Sequence, residues 1–141
     1  MTPPKRIQLR RVAGWRKPEG AIVVARPSRW GNPYRVGTMA DIYGTHYPLN
    51  HDALVVWHQS RKGYKRSGEW TGFSDRGEAT RFAVDLYRRA LLAMADGIDG
   101  ARHLDCYLGE LRGHDLGCWC KPGDPCHAET LLALANGSGA L

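Results

Sequence analysis

Three of the chain's four cysteines, Cys118, Cys120 and Cys126, fall within nine residues, and His127 directly follows the last. Thiols and an imidazole at this spacing admit three chemistries. The first is a metal centre. Cys118 and Cys120, two apart on a strand, point to one face, and Cys126 and His127 return after a turn. Cys118, Cys120, Cys126 and His127 are then the four N/S ligands that tetrahedral zinc takes. Two features oppose this. The pattern lacks the Cys-x-x-Cys spacing of most structural zinc sites, and neighbours on a regular helix diverge by about 100°, so Cys126 and His127 would not share one ion. The second chemistry is a functional thiol. A cysteine in the first turn of a helix has its thiolate stabilised by backbone N–H groups and the helix dipole. Cys126 fits this description, with His127 or His114 as base, and the same position cradles anions. Cys120, Cys126 and His127 are the catalytic candidates on this reading. The third is structural: small, inert thiols in the core. Cys106, beside Leu104 and Leu108, is assigned to the core.

A second constellation is Arg26-Pro27-Ser28-Arg29-Trp30-Gly31-Asn32-Pro33-Tyr34. Its prolines stiffen it, and Gly31-Asn32 permits unusual dihedrals. It follows an apolar strand, and ligands of open α/β sheets bind at the carboxyl ends of strands. Arg26 and Arg29 can fork onto phosphate or carboxylate, Trp30 and Tyr34 can stack a base, and Asn32 can bond its edge. Arg26, Ser28, Arg29, Trp30 and Asn32 are therefore the candidate ligand-binding residues. The alternative is a packed loop with solvated arginines and Trp30 in the core.

Several elements must position these groups. Residues 1–6 are read as a flexible basic lead-in. Ile7 to Val12 alternates as a half-exposed strand does, and Ala21 to Ala25 is a continuous apolar run expected to be a central strand buried on both faces. Val36 to Pro48 reads as irregular. Asn50 can cap a short helix over His51 to Arg61, with Leu54 and Trp57 inward. Lys62 to Gly77, rich in glycine and basic residues, is expected to be a mobile loop. Gly77 to Asp96 has the strongest helical period, with Ala79, Phe82, Ala83, Leu86, Ala90 and Met94 on one face. His103 to Leu111 is a further helix. Leu116 to Cys120 reads as a buried strand, and Lys121 to Asp124 as a turn. A last helix is capped by Asp124, with Pro125 first, and stops at Asn136-Gly137. The order predicts one α/β domain over residues 1–141: a small layered fold with a short, mostly parallel sheet flanked by helices. Its central pair is the Ala21 and Cys118 strands, and their carboxyl ends would bring the arginine loop and the Cys-His turn into one cleft.

The chain's 141 residues are enough for a core without staples. No apolar run approaches the length needed to span a membrane, and Met1 to Arg11 lacks the apolar stretch of a signal peptide. A cytoplasmic location is expected, where cysteines serve as thiols or metal ligands rather than disulfides. Lys+Arg number 20 against 14 Asp+Glu, a net charge of +6, which favours anionic partners such as a nucleotide or nucleic acid.

Trp15-Arg16-Lys17-Pro18, the Arg26 to Pro33 block, Leu111-Arg112-Gly113, Cys118-Trp119-Cys120 and Pro125-Cys126-His127-Ala128 occur together, in this order. In this combination the chain resembles domain of unknown function 4326, a family found in bacteria and many phages. The resemblance covers nearly the whole chain apart from His46 to Asp75, and implies a fold rather than an activity. The function expected from the residues is the handling of a nucleotide or nucleic acid, as an enzyme acting on a nucleotide, nucleoside or modified base. The alternative is a non-catalytic phage protein that binds nucleic acid or a host protein, its Cys-His stretch a structural zinc site or core. Zinc is the one cofactor the pattern suggests.

Overall fold

The computed structural model describes residues 3–43, 54–59, 70–96 and 98–137. In chain order the elements are β1 (Arg6–Gln8), β2 (Ile22–Val23), β3 (Tyr34–Thr38), α1 (Met39–Tyr43), β4 (Leu54–His58), β5 (Trp70–Phe73), α2 (Arg76–Ala93), α3 (Gly100–Leu108), a 3-10 turn at Gly109–Leu111, β6 (Leu116–Cys118) and α4 (His127–Ala135). Helix and strand are mixed, as an α/β reading requires. The chain clusters into two compact units, residues 1–31 with 88–141 and residues 32–87.

The first unit holds a three-stranded parallel sheet in the order β1-β6-β2. Leu116, Gly117 and Cys118 are all buried, so β6 is the middle strand. The ladder runs past the strand ends: Leu9 N–H donates to Cys118 O at 2.8 Å and Val24 N–H to Gly117 O at 2.9 Å. The expected parallel pairing of the Ala21 and Cys118 strands is present, but β2 lies on the edge, and Val23 is accordingly exposed. Gly117 is small for a reason: a Cβ there would come within 2.8 Å of Leu9 Cδ2. The lead-in is shorter than expected. Lys5 N–H donates to Asp115 Oδ1, Lys5 O accepts from Leu116 N–H, and Arg6 opens β1.

α4 packs its Ala128, Leu131 and Ala135 inward. It starts two residues later than the sequence suggests. Cys126, not Asp124, is the N-cap, with an extended backbone at φ −148° and ψ 137°. The stop is where expected. Asn136 N–H donates to Leu132 O, Gly137 takes φ 65° as a left-handed residue after the cap, and Arg112 Nε donates to Ala135 O at 2.8 Å. α3 begins three residues earlier than expected, and its last turn tightens into the 3-10 segment.

The second unit holds an antiparallel sheet, β3-β4-β5, which the sequence reading missed. The described part of the expected His51 helix is the strand β4, whose Val55, Val56 and Trp57 are all buried. Two adjacent β-branched residues fit a pleated surface better than a helix. Asn50 and the rest of that expected helix lie outside the described residues. So do residues 62–69 of the expected mobile loop, while Trp70–Phe73 forms β5 and Arg76 opens α2. Val36 to Thr38, expected to be irregular, belongs to β3, and α1 follows. Within this unit Val56, Ala79 and Ala83 form a core with Tyr34, Val36, Phe73, Phe82 and Leu86 against it. Asp75 caps α2 by accepting from Glu78 N–H at 2.7 Å. The buried stripe of α2 continues through Tyr87 and Leu91, so Ala90 and Met94 are exposed rather than inward. No helix among the described residues is long and apolar enough to cross a membrane.

Candidate metal centre

The carboxyl end of β6 carries the thiols. Cys118 closes the strand, Cys120 follows a bend, and Cys126 returns at the start of α4. The three sulfurs lie within 4.8 Å of one another, with Cys118 Sγ 3.6 Å from Cys120 Sγ. Four ligands at a Zn–S distance of 2.3 Å stand about 3.8 Å apart at the corners of a tetrahedron. Cys118 and Cys126 are buried, and Cys120 is partly exposed on a groove of about 340 Å³ lined also by Lys5, Arg6, Gln8 and Glu129.

His127 stands outside that trio of ligand atoms, but its Nδ1 is 4.0 Å from Cys126 Sγ. Its Nε2 lies 2.8 Å from Val24 O. A carbonyl only accepts, so Nε2 carries the proton and Nδ1 is the basic nitrogen. This is the arrangement found where histidine ligates a metal, with the distal N–H held by a backbone carbonyl. The objection that neighbours on a helix diverge does not apply, because Cys126 is extended and precedes the helix. The same cap position removes Cys126 from the first helical turn, where the functional-thiol reading placed it. His114, the other base considered, precedes β6 and is exposed, with Nδ1–H donating to Gly20 O at 2.7 Å. In a parallel sheet that is the edge opposite the thiols.

The electrostatics favour a thiolate in this cluster. The pKa of Cys118 is lowered, chiefly by its hydrogen bond with Cys120, and that of Cys120 is raised because its proton is shared with Cys118. Cys126 is lowered as well. Its contact with Cys118 acts the other way and is outweighed by hydrogen bonds with Cys120, His127 and the Ala128 N–H. Arg6 supplies the counter-charge. Its side chain is 10% exposed, its Nη1 and Nη2 donate to Asp124 O and Lys121 O, each at 3.1 Å, and its Nε is 3.8 Å from Glu129 Oε1. Burial pulls the Arg6 pKa down, and the bond with Cys126 and the nearby thiols and Glu129 raise it overall. Sequence reasoning missed Arg6. It fell in the stretch read as a flexible lead-in, and its backbone partners lie more than a hundred residues away.

The arginine loop does other work. Trp30 is 8% exposed and its Nε1–H donates to Tyr107 O at 3.3 Å. Arg29 lies over the Trp30 and Tyr107 rings and pairs with Glu110 at 3.3 Å. Tyr107 Oη–H donates to Arg29 O. Gly31 packs so tightly on Arg26 that a Cβ would sit 3.0 Å from its Cα. The loop thus latches onto α3, and Trp30 offers no open face for a base. Asn32, also buried, belongs to the other unit. Its Nδ2 donates to Ala83 O and its Oδ1 accepts from Tyr34 N–H, so both ends of the amide hold backbone rather than a base edge. Ser28 is half-buried and Arg26 exposed in the same loop.

Cys106 is exposed on α3, not in the core. With metal bound at the other three cysteines, titration of the native protein with a thiol reagent should show one fast thiol, and Cys106→Ser should remove it. A fast phase that survives this substitution would place reactivity in the cluster instead.

Residues 7–137 match the family described as Domain of unknown function (DUF4326). The chain belongs to this family. The match runs from Ile7, inside β1, to beyond the end of α4, so in this family member it takes in all three clustered thiols and His127. No curated protein and no solved structure matches the chain.

Proposed function

We propose that this chain is a zinc-binding protein, with Cys118, Cys120 and Cys126 as thiolate ligands and His127 Nδ1 as the fourth. The observation that carries this reading is the convergence of three sulfurs within 4.8 Å at the end of the central strand. Inert core cysteines have no reason to converge, and three thiols sharing hydrogen bonds with a lowered Cys118 are poised to exchange protons for a cation. The cytoplasm, where thiols stay reduced, suits such a centre.

The wider role we read as binding a nucleotide or nucleic acid. Burial of Cys118, Cys126 and His127 favours a structural zinc in a binding protein over a catalytic thiol. The charge distribution favours a polyanion. Eight of the 20 basic residues and one of the 14 acidic ones lie in residues 1–31, so this stretch carries +7 in a chain of net +6.

Cobalt substitution tests the ligand set. The loaded protein should show the near-ultraviolet thiolate-to-cobalt charge-transfer band and the visible absorption of a tetrahedral ion. The intensity of the charge-transfer band should correspond to three thiolates per ion, and Cys118→Ser, which loses the ion, should abolish it. His127→Gln should leave that band and alter the visible absorption. Absence of a charge-transfer band in the parent protein would refute the centre.

A further inference from the structure

We infer that the groove formed by Arg10, Arg11, Val12 and Trp119 binds single-stranded nucleic acid, by stacking a base at Trp119 and pairing the arginines with phosphates. This deepens the nucleic-acid reading above and rests on it. The groove is shallow and open, about 520 Å³, and lies at the carboxyl edge of β1 and β6. Trp119 is 44% exposed and Val12 55% exposed. So large a ring left this open to water is available to a ligand. Arg11 lies over the Trp119 ring with its guanidinium carbon 4.7 Å from the centroid, and Arg10 is exposed beside it. An exposed aromatic ring with one flat cation stacked on it and another close by is the recurring platform for single strands, where stacking tolerates any base and the groove tracks the backbone. The surplus of positive charge in residues 1–31 supplies the long-range attraction.

The platform is tied to the thiols. Trp119 stands between Cys118 and Cys120, and as those two side chains converge on one point the indole between them is turned outward. Leu9 N–H donates to Cys118 O at 2.8 Å, which fixes Arg10 and Arg11 against the same strand end. Metal binding would therefore hold the stacking residue in place without touching the nucleic acid.

The test is fluorescence anisotropy of a labelled 12-residue oligothymidylate titrated with the zinc-loaded full chain. Trp119→Ala should weaken binding roughly 5- to 100-fold, the effect of losing one stacked base, and Trp119→Phe should recover most of it. Arg10→Ala with Arg11→Ala should lower the slope of log affinity against log salt by about 1.4, two phosphate contacts' worth on a single strand. Zinc content, measured on each variant, should stay at the parent value. Failure of the parent protein to bind the oligonucleotide would overturn the nucleic-acid reading as a whole. Tight binding that neither Trp119→Ala nor the arginine pair changes would overturn this placement alone. A polyglutamate peptide that binds as tightly, with the same dependence on Trp119, would also overturn it and assign the groove to acidic protein partners.

Discussion

Purified from cells grown with zinc, the chain should carry close to one zinc per molecule, and Cys118→Ser or Cys126→Ser should reduce that to near zero. The stability effect should be large. Zinc bound a thousand-fold above its dissociation constant stabilises the folded state by roughly 4 kcal/mol, which in a domain of this length amounts to a Tm shift on the order of 10 °C. A strong chelator should remove this increment, and in the serine variants it should have nothing to remove. The direction follows from the geometry. The sulfurs already stand near tetrahedral spacing, so binding requires little rearrangement, while in the unfolded chain the same sulfurs are separated by mobile backbone. Elemental analysis and thermal melts with and without chelator check this. A metal-free protein whose Tm ignores both chelator and added zinc would return the thiols to the core.

Arg6→Ala should be the most damaging single substitution outside the thiols. One guanidinium donates to both Lys121 O and Asp124 O and sits beside Cys126 and Glu129. It spans the turn that brings Cys126 back to Cys118. Removing a charged donor costs roughly 1.5–3 kcal/mol per hydrogen bond, so a loss of about 3 kcal/mol or more is expected, together with faster loss of zinc to a chelator. Lysine keeps the charge but lacks the planar fork, so Arg6→Lys should recover charge-dependent zinc retention better than stability. Chemical denaturation and metal-transfer kinetics measure the two separately. A stability change below about 0.5 kcal/mol, the range of an ordinary surface residue, would show that the turn holds itself.

What the sequence made legible is what local patterning determines. The apolar runs at Ala21 and Leu116, the periodic stretch that became α2 and the Asn136-Gly137 stop were readable because short-range sterics and burial fix them. The thiols could be placed at the end of a strand for the same reason. β4 was misread because Leu54 and Trp57 also match a helical spacing, and only the partners β3 and β5 turn Val55-Val56 into a ladder. Cys106 was assigned inward from its apolar neighbours Leu104 and Leu108, but it stands two residues from each, and on a helix positions two apart face nearly opposite sides. The N-cap moved to Cys126 because Asp124 competes with a turn whose carbonyls Arg6 has taken up. The arginine loop looked like a ligand clamp because composition cannot distinguish an arginine stacked on its own tryptophan from one open to solvent.

The position of β6 in the sheet has a consequence for synthesis. The first two strands are made early, yet neither pairs with the other. Both wait for Leu116–Cys118, more than ninety residues later. At 5–20 residues per second, that delay is about 5–20 s on the ribosome. During it both strands, in a stretch that carries +7 over residues 1–31, remain without their partner. Folding of this unit is then a late, non-local event of high contact order. A chain that terminates before residue 116 is left without its parallel sheet and without the three clustered thiols.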